Sequence, residues 1–139
     1  GPNIPEGEKR DAMVYLQDVM ATTLDLADVD KPKYVEFNSL LPLIENASKK
    51  SNYDAVYGCY LQDKQRMIRV GDYKLLVYPQ AARLRLYNLA EDPQELDDLS
   101  GNPQHWARIK TLYKDLKALQ SNMDDSLDLD EFFPSMAKG

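Results

Sequence analysis

Only one cysteine and one histidine occur in this chain of 139 residues, and each shortage removes a class of chemistry. The single thiol, Cys59, cannot form an internal disulfide, so the cysteine pattern points to no oxidising compartment. The single imidazole, His105, excludes by count a histidine triad and any metal site built on several histidines. No apolar run approaches the ~18 residues that a membrane-spanning helix needs. The first ten residues, GPNIPEGEKR, lack the apolar stretch of a signal peptide. Positive charge is also short, with 17 Lys and Arg against 23 Asp and Glu and a net charge of -6. A phosphate-binding face needs the opposite balance, so nucleic acid is not expected as partner; with no spanning run, neither is a membrane. Repeats and low-complexity blocks are missing as well.

What is present suits one globular domain with one core: 43% of residues are hydrophobic and 29% are charged. After a loop over 1–10, residues 11–27 carry Met13, Leu16, Met20, Leu24 and Ala27 at spacings of three and four, which predicts a helix burying that stripe, with Asp11 able to cap its start. Residues 28–38 read as loop. Residues 38–45 read as a short apolar turn of helix with Pro42 near its start, and 46–52 as a polar loop.

Residues 55–61, 65–70, 73–78 and 83–89 are rich in β-branched and aromatic side chains and predict four strands. Gly71-Asp72 suits a two-residue type II′ hairpin between the second and third. Such a turn sets Val70 opposite Tyr73, Arg69 opposite Lys74, Ile68 opposite Leu75 and Met67 opposite Leu76. One face then carries Ile68, Val70, Tyr73, Leu75 and Val77; the other carries Gln65, Met67, Arg69, Lys74, Leu76 and Tyr78. Asp92-Pro93-Gln94-Glu95 resembles a helix start. Asn102-Pro103 opens the last helix, to about Met123, whose apolar stripe is Trp106, Ile109, Tyr113, Leu116 and Leu119.

Chemistry-bearing residues are few. His105 reads as a surface histidine, and Cys59, mid-strand, as a small buried hydrophobe. Asp124, Asp125, Asp128, Asp130 and Glu131 lack the glycine and the later glutamate of a calcium-binding EF-hand loop and read as a solvated acidic tail. Arg69 and Lys74, side by side, are candidates for an anionic ligand group, for carboxylates of a neighbouring domain, or for solvent.

Four segments, in order, resemble the C-terminal region of type I sulfatases, in the alkaline-phosphatase-like superfamily. Residues 14–27, VYLQDVMATTLDLA, resemble a helix of the form V-x-L-x-D-[LVI]-M-P-T-[LI]-L-[DE]-L-A, with Ala21 at the usual proline. Residues 38–44, NSLLPLI, resemble G-x-S-L-x-P-L-L. Residues 65–76, QRMIRVGDYKLL, resemble R-x-[IV]-R-x-[GD]-x-[YW]-K-[LY]-I. Residues 86–95, LYNLAEDPQE, followed by Asp98-Leu99, resemble L-Y-[DN]-L-x-x-D-P-x-E-x-x-N-L. Gly1-Pro2-Asn3-Ile4-Pro5-Glu6-Gly7 is similar to the family's Gly-Pro-Gly-Ile-Pro-x-Gly, and equally to the scar of a cleaved tag.

The resemblance implies an α+β fold: a small four-stranded antiparallel sheet packed by a long C-terminal helix, preceded by a helical segment from the end of a catalytic α/β domain. Residues 1–50 would be the last elements of that catalytic domain, 51–123 the C-terminal subdomain and 124–139 an acidic tail. The parent would be a sulfuric ester hydrolase using formylglycine and calcium, periplasmic, secreted or lysosomal, acting on a substrate such as a sulfated carbohydrate. The formylglycine motif, Cys/Ser-x-Pro-x-Arg, does not occur in the sequence; Cys59 is followed by Tyr60, Leu61, Gln62 and Asp63. The chain is therefore expected to be inactive alone, its partner being the rest of the catalytic domain. Tyr60, Gln65 and Arg66 are the candidates nearest the substrate cleft, and Met67, Arg69, Lys74, Leu76 and Tyr78 form the expected docking face. The alternatives are a non-catalytic binding or scaffold module, and a part of a related phosphonate or phosphate hydrolase.

Overall fold

The computed structural model describes residues 4–136, so the start of the Gly-Pro segment and the last three residues lie outside the described residues. The chain forms two compact units, divided between Val56 and Tyr57.

The first unit contains α1 (Asp18–Leu26) and α2 (Leu41–Glu45). Helix α1 starts later than the spacing predicts and buries a different side. Leu16 and Met20 are exposed, whereas Tyr15, Asp18, Ala21 and Thr22 are buried. Polar bonding accounts for this. The Asp18 carboxylate accepts from the Tyr15 amide (2.8 Å), the Asn38 amide (3.1 Å) and the Tyr53 hydroxyl (2.5 Å). The Thr22 hydroxyl donates to the Asp18 carbonyl and accepts from the Leu40 amide. These bonds tie residues 38–40 to the helix and turn its polar side inward, as buried polar groups require. The Tyr15 ring packs edge-on to Phe37 and Tyr53, and the carboxylate bond at its amide holds residues 15–18 in a turn ahead of the helix.

The sheet has the order β1 (Ala55–Tyr60), β2 (Gln65–Val70), β3 (Tyr73–Tyr78), β4 (Arg83–Asn88). The β2–β3 and β3–β4 pairs are antiparallel, and the β2–β3 register is the one the hairpin turn dictates. Gly71 takes φ +55° while Asp72 does not have positive φ, as a type II′ turn requires. Ile68, Leu75, Val77 and Leu86 are fully buried on the inner face. Helix α3 (Trp106–Asn122) covers them with Ile109, Leu112, Tyr113 and Leu116. Each such side chain contributes about 1.5–3 kcal/mol by burial. Trp106, expected in this stripe, is 44% exposed, and Leu119 is only half-buried. Leu112 and Gln120 complete the face instead, the Gln120 amide donating to the Leu127 carbonyl. A 3₁₀ turn, Pro103–His105, capped by the Asn102 side chain, leads into the helix.

Two further expectations are corrected. Residues 92–95 form a turn with Glu95 at φ +58°, because the Asp92 carboxylate bonds the Asp97 amide and Glu95 is drawn to Lys74. The acidic segment after Met123 is not a solvated tail. It forms α4 (Leu129–Phe132), buries Leu129, Phe133 and Met136, and bonds Asp130 to Lys117 and to the Tyr113 hydroxyl. Burial, then the Asp130 charge, pushes the Tyr113 pKa up. Among the described residues no helix is long and apolar enough to cross a membrane, and no three of His, Cys, Asp and Glu converge as metal ligands.

Candidate functional site

Strand alternation sets a second face opposite α3, and the register arranges it in cross-strand rows. One row is Arg69, Lys74 and Tyr87; the next is Met67, Leu76 and Arg85. Gly58 belongs beside Met67, because a Cβ there would lie 3.0 Å from the Met67 Cε. Stepping two residues along each strand gives the third row: Tyr60, Gln65, Tyr78 and Arg83.

The third row borders a groove of about 420 Å³ lined by Tyr60, Leu61, Lys64, Gln65, Tyr78, Gln80 and Ala81. Two of the three cleft candidates, Tyr60 and Gln65, meet there with Tyr78 from the docking-face set. Leu61 opens the β1–β2 turn at φ +53°, a conformation that costs a residue with a Cβ about 1–2 kcal/mol. The turn is held from below by Arg66. The Lys64 ammonium donates to the Gln80 side-chain oxygen, and the Gln80 amide donates to Asp63, so the groove's far wall is a chain of polar contacts.

Arg66, the third cleft candidate, points the other way and is buried. Its Nε and one terminal nitrogen donate to Asp125, and its remaining donors reach the carbonyls of Leu61, Gln62 and Gln65. All five N–H groups are thereby used, which leaves none for a ligand. Asp125 also accepts from the Tyr57 hydroxyl. Burial disfavours the Asp125 carboxylate, but the bonds from Arg66 and Tyr57 outweigh it and hold the pKa at about 2. The same burial, then the Asp125 bond, pushes the Tyr57 pKa up. The Arg66–Asp125 pair therefore locks the underside of the groove and does not line it.

Lys74 finds a carboxylate within the chain, Glu95 at 2.6 Å, and Arg69 donates to the Gly71 carbonyl at 3.1 Å. Leu76 is buried, and Met67 and Tyr78 are half-buried. Cys59 is exposed rather than buried: β1 is an edge strand, and its last residues, Cys59 and Tyr60, are open to solvent. His105 is half-buried with its ring 6.5 Å from that of Tyr73.

Sequence reasoning missed Arg83 and Arg85. Their spacing of two in β4 was the available signal, since it sets both guanidiniums on the face of Tyr78. Arg85 lies 5.9 Å from the Tyr78 ring centroid. Both arginines share one distant carboxylate, Asp98, at 3.8 and 4.0 Å, and the Arg85 Nε is buried without a hydrogen-bond partner. Asp98 is itself occupied by the Leu86 and Ser100 amides.

The family described as "N-sulphoglucosamine sulphohydrolase, C-terminal" matches residues 2–122. A Haemophilus influenzae protein of unassigned function is 31% identical over 85% of this chain and 62% of its own length. Human arylsulfatase K is 30% identical over 72% of this chain, which spans only 21% of that enzyme. Among solved structures, that of BT4656 in complex with its substrate D-glucosamine-2-N,6-O-disulfate is 28% identical with a TM-score of 0.69, covering 82% of this chain and 25% of that one. BT1596, a 2-O GAG sulfatase, shares the fold at 23% identity and a TM-score of 0.69, covering 92% and 30%. The chain belongs to the N-sulphoglucosamine sulphohydrolase C-terminal family, the C-terminal region of sulfatases.

Proposed function

We propose that this chain braces the catalytic portion of a sulfatase and shapes its substrate cleft, and that it does not hydrolyse sulfate esters itself. The observation that carries the reading is a family match across residues 2–122 in a sequence without a Cys/Ser-x-Pro-x-Arg nucleophile motif. Formylglycine and calcium do not fit the residues of this chain. No cysteine or serine stands in the modifiable motif, and no acidic cluster converges among the described residues. Both groups are assigned to the catalytic portion.

Two surfaces support the bracing role. In the first unit, Leu16, Val19, Met20 and Leu26 are more than half exposed on and just ahead of α1, an apolar stripe that favours a covering partner. In the second unit, the face carrying Met67, Arg69, Lys74, Leu76 and Tyr78 mixes apolar side chains with cations; Lys74 already holds Glu95, so a carboxylate supplied by a partner would meet Arg69, which bonds a backbone carbonyl. Tyr60 and Gln65 lie at the end of that face and are the residues proposed for the cleft, where the substrate is a sulfated carbohydrate. The BT4656 complex with a sulfated glucosamine supports that substrate class.

The test is an aryl sulfate assay with calcium, on the chain alone and after co-expression with the catalytic portion of its parent. No turnover is expected from the chain, and a stable, active complex is expected from the pair. Turnover that persists through repurification and tracks with the chain alone would overturn the reading, as would failure of the two portions to associate.

A further inference from the structure

We infer that the row Tyr60–Gln65–Tyr78, with Arg83 and Arg85 at its end, is a binding strip for one sulfated sugar residue, and that it works in this chain without the catalytic portion. The choice of ligand rests on the sulfatase reading above; the strip itself rests on geometry. Tyr60 is 63% exposed and Tyr78 half-buried beside the same groove of about 420 Å³. That volume is within the range of small-ligand sites. Two tyrosines with an amide between them present flat apolar surface and hydrogen-bonding edges together, which is what a pyranose ring demands of a binding site.

The charge comes from β4. Arg83 and Arg85 stand two residues apart on the same face, Arg83 directly across from Tyr78. The nearest carboxylate oxygen is Asp98 Oδ2, at 3.8 and 4.0 Å, beyond hydrogen-bonding reach, because the Leu86 and Ser100 amides fix this carboxylate through its other oxygen, Oδ1. The Arg85 Nε has no hydrogen-bond partner, an exception to the rule that buried donors are satisfied, and the Arg85 Nη1 makes only a long bond, 3.4 Å, to the Tyr87 hydroxyl. Lys74 and Lys117, by contrast, each hold a carboxylate directly. Two guanidiniums with free donors beside an aromatic ring fit a tetrahedral oxyanion, which takes paired N–H bonds from an arginine fork. The other charges at the groove are Lys64 and Asp63, and both are engaged with Gln80. They leave the local balance positive.

The competing occupant of Arg83 and Arg85 is a carboxylate from the catalytic portion, and direct titration separates the two. Nitrogen-15-labelled chain is titrated with a heparin-derived disaccharide and with its fully desulfated counterpart, while amide dispersion reports the fold. Saturable shifts confined to Tyr60, Gln65, Tyr78, Arg83 and Arg85 are expected with the sulfated sugar alone. Arg83→Gln/Arg85→Gln should weaken binding by about tenfold or more, the size of a lost charged hydrogen bond. Tyr60→Ala, on an exposed edge position that the fold tolerates, should weaken it severalfold. Lys110→Gln on α3 should change nothing.

The inference is overturned if the folded chain shows no saturable shift, if the desulfated sugar binds equally, or if the shifts lie elsewhere. It is also overturned if the arginine variants impair association with the catalytic portion while sugar binding is unchanged. None of these results touches the bracing role, whose own test is reassociation.

Discussion

Helices α1 and α3 both carry apolar residues at helical spacing, yet α3 buries most of its stripe and α1 exposes most of its own. In α3, Ile109, Tyr113 and Leu116 are nearly inaccessible against the sheet. In α1, Val19, Met20 and Leu26 remain open, while Asp18 and Thr22 are taken inward by bonds to residues 38–40. Periodicity tells which residues share a side of a helix. It does not tell which side the rest of this chain covers, and an apolar side left open asks for a cover from elsewhere.

The largest loss of stability is expected at Arg66. Arg66→Ala leaves Asp125 buried without its cation and strips the β1–β2 turn of its donors. A loss of roughly 3–5 kcal/mol is expected, read from a urea midpoint. Next, Ile109→Ala should cost about 2–5 kcal/mol, while Trp106→Ala, at the open end of the same stripe, should cost about 1 kcal/mol or less. A loss at Ile109 no larger than that at Trp106 and no more than about 1 kcal/mol would show that α3 faces solvent as α1 does. Third, the Asp125 pKa of about 2 lies below its ordinary 3.8, so its contribution is complete above about pH 4 and is lost as pH falls towards 2. That limb should amount to roughly 2 kcal/mol and vanish in Asp125→Asn. Last, Met20→Ser on α1 should move stability by no more than about 0.5 kcal/mol in the chain alone, since the side chain is half exposed. The same change should weaken association with the catalytic portion, and an unaltered affinity would remove α1 from the docking surface.

Much of the second unit was legible because its signals are local. A Gly-Asp turn fixes the β2–β3 register outright, and Asn102-Pro103 marks the approach to α3. What escaped depends on contacts between residues remote in sequence. Asp18 falls outside the apolar stripe predicted for its helix, and only its bonds to Asn38 and Tyr53 bring it inside. Asp125 reads as one charge in an acidic run until Arg66 and Tyr57 single it out. Arg66 reads as an open strand end for the same reason. In the groove, Tyr60 and Gln65 were accessible to pattern reading because alternation places them. Arg83 and Arg85 were passed over because the significance of two cations lies in the lack of a close carboxylate, a fact that strand spacing does not contain.

The bond network around Arg66 also has a bearing on timing. Its partners are the turn at residues 61–65 and Asp125, 59 positions further on. On a chain made from its N-terminus, all four strands leave the ribosome before Asp125 does. Until then the guanidinium must stay hydrated, and it anchors the strained Leu61 turn without a counter-charge. The edge of the sheet that carries Tyr60 therefore sets only after Asp125 has been made, because a contact of such long separation cannot form earlier. A purified chain truncated after residue 124, which keeps α3, should show β2, β3 and β4 protected from hydrogen exchange while β1 exchanges faster than in the full chain.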